Sequence, residues 1–175
     1  QFTPSTIFAL SAATFFAPML ILQWLGRIVD LVGSLAVMRA SIILFTMVLA
    51  VWFAMSAGLI NPDWKMVLFL NFTGGIGVAG LNLASLHLGM SIVPVSGRNH
   101  FFALSTVITS LGLGLVPILW GAILDLLGGM DLLLGPFHIR RHSVYFLGIS
   151  LLSLVALLMT RILIRPVQVH TPQSV

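Results

Sequence analysis

Apolar residues run through five long stretches of the chain, and every charge falls between them or near their ends. The stretches are Ser5–Ile28, Leu35–Leu59, Trp64–Val93, Phe101–Leu127 and Val144–Ile164. A bilayer core about 30 Å thick takes about 20 apolar residues per helix, and every stretch reaches that length. Membrane strands would be about ten residues long and would alternate in polarity; these runs do neither. Lipid offers no partner to an unpaired backbone group, so helices are the form to expect. The pattern predicts an all-α, polytopic transmembrane helix bundle over residues 1–165, with a tail over 166–175.

Composition agrees with that reading. Of 175 residues, 59% are hydrophobic and 7% are charged, against about 25% charged in soluble domains. There is no cysteine, which removes thiolate metal sites, disulfides and cysteine nucleophiles. The net charge of +4 comes from eight basic residues, scattered singly or as one pair rather than gathered into a stripe. Nucleic acid is therefore not an expected partner; the lipid bilayer is. The chain starts at Gln1, and no basic segment precedes the first apolar stretch. A signal peptide is not expected, and the chain reads as a piece of a longer protein.

The connections are Val29–Ser34, Ile60–Asp63, Pro94–His100 and Gly128–Ser143. Short connections make neighbouring helices antiparallel. One side then holds Arg27, Arg39, Arg98, Arg161 and Arg165, and the other Lys65, Arg140 and Arg141. The excess of basic residues places the first side, with the carboxyl tail, in the cytoplasm of a cell membrane of the bacterial inner-membrane type. Arg39 and Arg161 are expected to snorkel from span ends. Pro18 and Pro117 lie within the first and fourth spans and are expected to bend them.

An octapeptide recurs 95 residues apart: Gly26-Arg-Ile-Val-Asp30-Leu-Val-Gly33 and Gly121-Ala-Ile-Leu-Asp125-Leu-Leu-Gly128. Antiparallel order puts the two copies on opposite faces, as an inverted repeat of three helices would. A glycine at a helix end allows a tight turn and close helix approach. The aspartate can accept hydrogen bonds from the N–H groups of a neighbouring helix start.

With Gly26, Asp30 and Gly33, and with the run Pro94, Arg98, Gly112, Gly114, Pro117, Gly121 and Asp125, the chain resembles the major facilitator superfamily. That family carries a Gly-x-x-x-Asp-basic-x-Gly-basic loop in each six-helix half. Leu31 and Ser34 stand here where basic residues are usual. The resemblance covers nearly the whole chain, as helices eight to twelve of the carboxyl half. It implies a partial major-facilitator fold, with a seventh helix and an amino-terminal half elsewhere. It also implies that the first, third and fourth spans line a central cavity while the second and fifth face lipid.

The distribution of polar residues fits that division. Gln23 is on the first span, Asn71, Asn82 and His87 are on the third, and Ser105, Thr106, Thr109 and Ser110 cluster on the fourth. The second and fifth spans contain no Asn, Gln or His, and their Ser and Thr can bond back to their own helices. On the third span Asn71, Gly75, Val78, Asn82, Ser85 and Gly89 recur in steps of four and three. At about 100° per residue they make a stripe about 80° wide. Two roles suit Asn71 and Asn82: contact with a solute, or interhelical hydrogen bonds of about 0.6 kcal/mol each. His87 lies about 160° from the stripe on the same spacing. An imidazole suits proton coupling, but its place near a span end suits packing or the interface. No carboxylate lies inside a span, since Asp30, Asp63, Asp125 and Asp131 all fall at ends or in loops. A coupling ion, if one is used, would be bound in another part of the protein.

Gly75-x-Gly77-x-x-Gly80 imitates a dinucleotide fingerprint, but no acid follows before Asp125, and the glycines fall mid-span. Close packing or a gating bend suits Gly75, Gly77, Gly112 and Gly114 better. His138, Arg140, Arg141 and His142 could form a small anion site or a solvated loop. No metal-ligand cluster, P-loop or nucleophile–base set is present, so neither an enzyme nor a cofactor is expected. The expected function is secondary transport of a small solute by alternating access, with Gln23, Asn71, Asn82, Ser85, Thr106, Thr109 and Ser110 facing the cavity. The alternative is a non-transport, multi-span assembly or interaction subunit.

Overall fold

A computed structural model describes residues 4–93, 97–128, 132–134, 137–139 and 141–163. It contains five helices: α1 (Pro4–Val32), α2 (Ser34–Ser56), α3 (Trp64–Ile92), α4 (Arg98–Leu126) and α5 (Arg141–Leu163). All five are long and apolar enough to cross a membrane. Between α4 and α5 lies a short antiparallel pair, β1 (Leu132–Leu134) and β2 (Phe137–Ile139), with Leu133 opposite His138. This pair was expected to be loop. Residues 166–175 lie outside the described residues.

The helices match the apolar stretches within a few residues: α1 ends four residues later, α4 and α5 start three earlier, and α2 stops at Ser56, three short of Leu59. α1 continues past Ile28 through Asp30 and Leu31, so Asp30 is helical rather than part of a connection. Nothing in Val29–Val32 breaks a helix; Gly33 does. Its φ of +90° is accessible to glycine and strained for other residues, and it turns the chain from α1 into α2 in one residue. Its N–H still bonds the Val29 carbonyl at 2.9 Å. Gly97, with φ +102°, stands immediately before α4. α1 and α4 run continuously through Pro18 and Pro117.

Packing centres on α3. A cluster of Leu25, Val29, Val37, Ala79 and Ala84 joins α1, α2 and α3. The glycines of α3 permit the approach. Gly75 meets the backbone of Thr14 on α1, and Gly77 lies against Ser41 and Phe45 on α2. A side chain at Gly75 would hold α1 and α3 apart, whereas a methyl at Gly77 would meet α2 at ordinary contact distance; small residues tighten membrane helices in this way.

α2 and α5 are joined by polar contacts at three levels. Arg39 Nη2 donates to the Thr160 carbonyl at 3.0 Å. Thr46 Oγ1 lies 2.9 Å from Ser153 Oγ, and Ser56 Oγ lies 3.1 Å from Ser143 Oγ. The three pairs share one antiparallel register. Ser and Thr of these spans therefore bond across to the neighbouring helix as well as back to their own. Arg39 does not snorkel outward as expected. It reaches across to the Thr160 carbonyl of α5.

α4 is the exception. None of its residues is buried. It meets α3 at one end, where Phe101 and Phe102 lie against Gly89, and α5 at the other, where Trp120 lies against Gly148 and Tyr145. Between those ends it stands off from α3.

Candidate functional site: a polar cleft between α3 and α4

The stand-off leaves a cavity of about 370 Å³. From α3 it is lined by Asn82, Ser85 and Gly89, and from α4 by Ser105, Thr106, Thr109 and Ser110. Phe101 and Phe102 close the end where the helices touch, their rings edge to face at 5.6 Å. Antiparallel pairing places Asn82 level with Thr109, Ser85 with Thr106 and Gly89 with Phe102. The α4 residues follow i, i+1, i+4, i+5, which keeps them on one face of a helix.

The Phe101 end is fixed by Arg98. Its Nη2 donates to the carbonyls of Met90 and Val93, at 3.3 and 3.4 Å. These carbonyls belong to the end of α3, so the guanidinium caps α3 from the first turn of α4. Its Nε is buried and has no hydrogen-bond partner among the described residues.

Within the cleft, Thr106 Oγ1 donates to its own helix at the Phe102 carbonyl, 2.8 Å away. Among the described residues, Asn82, Ser85, Ser105, Thr109 and Ser110 make no side-chain hydrogen bond to protein, and all five are exposed. At mid-span depth, polar groups face water, protein or a bound molecule rather than acyl chains.

The α3 stripe divides at its middle. Asn71 faces α1, where its Oδ1 accepts from Thr14 Oγ1 at 3.1 Å and its Nδ2 donates to the Val67 carbonyl at 2.9 Å. The Thr14 bond is interhelical, and Asn71 also borders a further cavity of about 300 Å³ with Leu10, Ser11 and Trp52. Asn82 opens onto the cleft and also onto a second cavity of about 510 Å³ between α1 and α3, bordered by Thr14, Pro18, Leu22 and Gly75. Gln23 is exposed on α1 and borders neither cavity. His87 is exposed and away from the cleft.

The two octapeptides sit at opposite ends of the bundle. Gly33 makes the left-handed turn into α2, whereas Gly128 follows α4 with its N–H bonded to the Asp125 carbonyl at 3.0 Å and no positive φ. Asp30 and Asp125 are exposed, and neither side chain caps a helix among the described residues. Gly112, Gly114 and Gly121 have open space where a Cβ would stand. The side chains of His138 to Arg141 lie outside the described residues.

Phe101, Phe102 and Leu86 border the cleft but do not follow from polarity alone. The recurrence of residue pairs every four positions from Phe101 to Ser110 is the signal that marks the two phenylalanines. Among the described residues no cluster of His, Asp or Glu could hold a metal ion. Comparison with protein-family models, curated proteins and solved structures found no match for this chain.

Proposed function

We propose that this chain is part of a secondary membrane transporter and forms one wall of its solute path, as the carboxyl half of a major-facilitator protein does. The observation that carries the reading is the α3–α4 cleft. Hydroxyl and amide groups from two membrane-length helices converge there, and among the described residues all but Thr106 lack a side-chain hydrogen bond to protein. The inverted octapeptide repeat and the polar character of the first, third and fourth spans support it. On this reading an amino-terminal half of the same protein covers α4, the Arg27, Arg39 and Arg161 end is cytoplasmic, and the membrane is of the bacterial inner type. Alternating access then needs the two halves to rock around the site between them.

A second reading, an assembly subunit, draws on the same exposed α4, which a separate protein could cover. Labelling separates them. Single cysteines replacing Asn82 or Thr109, in an otherwise cysteine-free protein in membrane vesicles, are treated with an impermeant thiol reagent from each face. Transport expects reaction from both faces, with solute changing the ratio. Reaction from one face at most, unaffected by any solute, refutes it.

A further inference from the structure

Resting on the transport reading, we infer that the solute is a neutral, hydroxyl-rich ring of monosaccharide or cyclic-polyol size, bound at Asn82, Ser85, Ser105 and Thr109. The groups bordering the cleft carry no charge. The nearest cation on its border helices, Arg98, is already committed to the carbonyls of Met90 and Val93. A carboxylate or ammonium brought to mid-span would find dipoles but no countercharge on this wall, and an unpaired charge at that depth is strongly disfavoured. The groups that are present, hydroxyls and an amide, both donate and accept. Their natural counterpart is a solute whose own groups do both, which is the property of an alcohol.

Shape agrees with chemistry. About 370 Å³ is near the lower end of small-molecule sites, which run from about 300 to 1,000 Å³. Phe101 and Phe102 offer an apolar floor at one end, suited to the C–H face of a saturated ring whose hydroxyls point to the rim. Thr106 donates its one proton to its own helix and can only accept from solute, so donation to solute falls to the hydroxyls beside it and to Asn82.

The test uses the protein expressed from its native gene and reconstituted in proteoliposomes, with tritiated glucose and myo-inositol as neutral probes and glutamate and lysine as charged ones. Saturable uptake of a neutral probe is expected. Ser105→Ala and Thr109→Val should each raise KM about 5-fold, the equivalent of one neutral hydrogen bond, with the maximal rate nearly unchanged. Thr109→Ser should restore it, which separates hydroxyl loss from misfolding. Saturable uptake of glutamate or lysine alone overturns the solute class and leaves transport standing. So does neutral uptake whose KM none of these substitutions moves. No saturable uptake of any probe by folded protein overturns the transport reading and the solute class with it.

Discussion

Gly75→Ala should loosen α1 from α3, and the size of the effect follows from what surrounds the missing methyl. A Cβ at Gly75 would collide with the Thr14 carbonyl oxygen and lie 3.1 Å from the Thr14 Cα and carbonyl carbon. Those are backbone atoms and cannot swing aside, so α1 must retreat on the order of 1 Å to reach ordinary contact. Overpacking of this kind costs about 1–3 kcal/mol. Retreat also strains the 3.1 Å bond from Thr14 to Asn71, worth about 0.6 kcal/mol in a membrane. Against this, alanine gains about 1 kcal/mol of helix propensity over glycine. Gly112→Ala collects that gain alone, since nothing lies within 4 Å of its Cβ position. The quantity to measure is therefore the difference between the two variants, in which propensity cancels: about 1–3 kcal/mol, Gly75→Ala the less stable. Reversible unfolding in mixed micelles, followed by circular dichroism, gives it. Gly80→Ala should fall between them, because the atom it meets is the Ser41 hydroxyl, which can rotate. Equal stabilities for Gly75→Ala and Gly112→Ala would refute the close α1–α3 contact.

Three further outcomes follow from the helix contacts. Cysteine pairs replacing Thr46 with Ser153, or Ser56 with Ser143, should oxidise to disulfides, because their hydroxyls already lie 2.9 and 3.1 Å apart. The mismatched pair Thr46 with Ser143 should not, and gel mobility under oxidising conditions decides. Arg39→Ala should lower stability by about 1.5–3 kcal/mol, the range for a hydrogen bond from a charged donor. Arg39→Met, which keeps the stem, should cost nearly as much in the same unfolding assay if the Thr160 bond is what matters. Trp120→Ala removes an edge-to-face contact with Tyr145 at 5.3 Å, worth about 0.5–1.5 kcal/mol. It should widen the distance distribution between spin labels on α4 and α5 measured by pulsed EPR, and an unchanged distribution would contradict the two-ended attachment of α4.

The membrane spans were legible because length and apolarity suffice to specify them. The end of the first was not, because Asp30 reads as a loop residue while the break rests with Gly33; the end of the fourth was read to within one residue. The β1–β2 pair was missed although Gly135-Pro136 between two short apolar runs is a turn signal. The periodicity of α3 revealed a stripe but could not show that α1 covers its first half at Asn71 and Gly75 and leaves Asn82 and Ser85 open. That division depends on where Thr14 comes to rest, which is a property of packing. Serines and threonines on α2 and α5 look alike in sequence whether they bond backward or across. Arg39 and Arg98 are similar: each has an ordinary place at a span end, and only the neighbouring helix terminus shows what it serves.

The bare surface of α4 has a consequence for variation. Substitutions on most helices mix two effects, a change in folding and a change in whatever the surface does. On α4 no side chain is buried, so replacements between Phe102 and Trp120 scarcely touch the internal packing of this chain. A saturation scan along that helix, scored by growth or flux, would record selection by cargo and by the covering surface almost free of stability effects. Positions 105 and 109 would then separate from 104 and 108 by what they bind, one turn at a time.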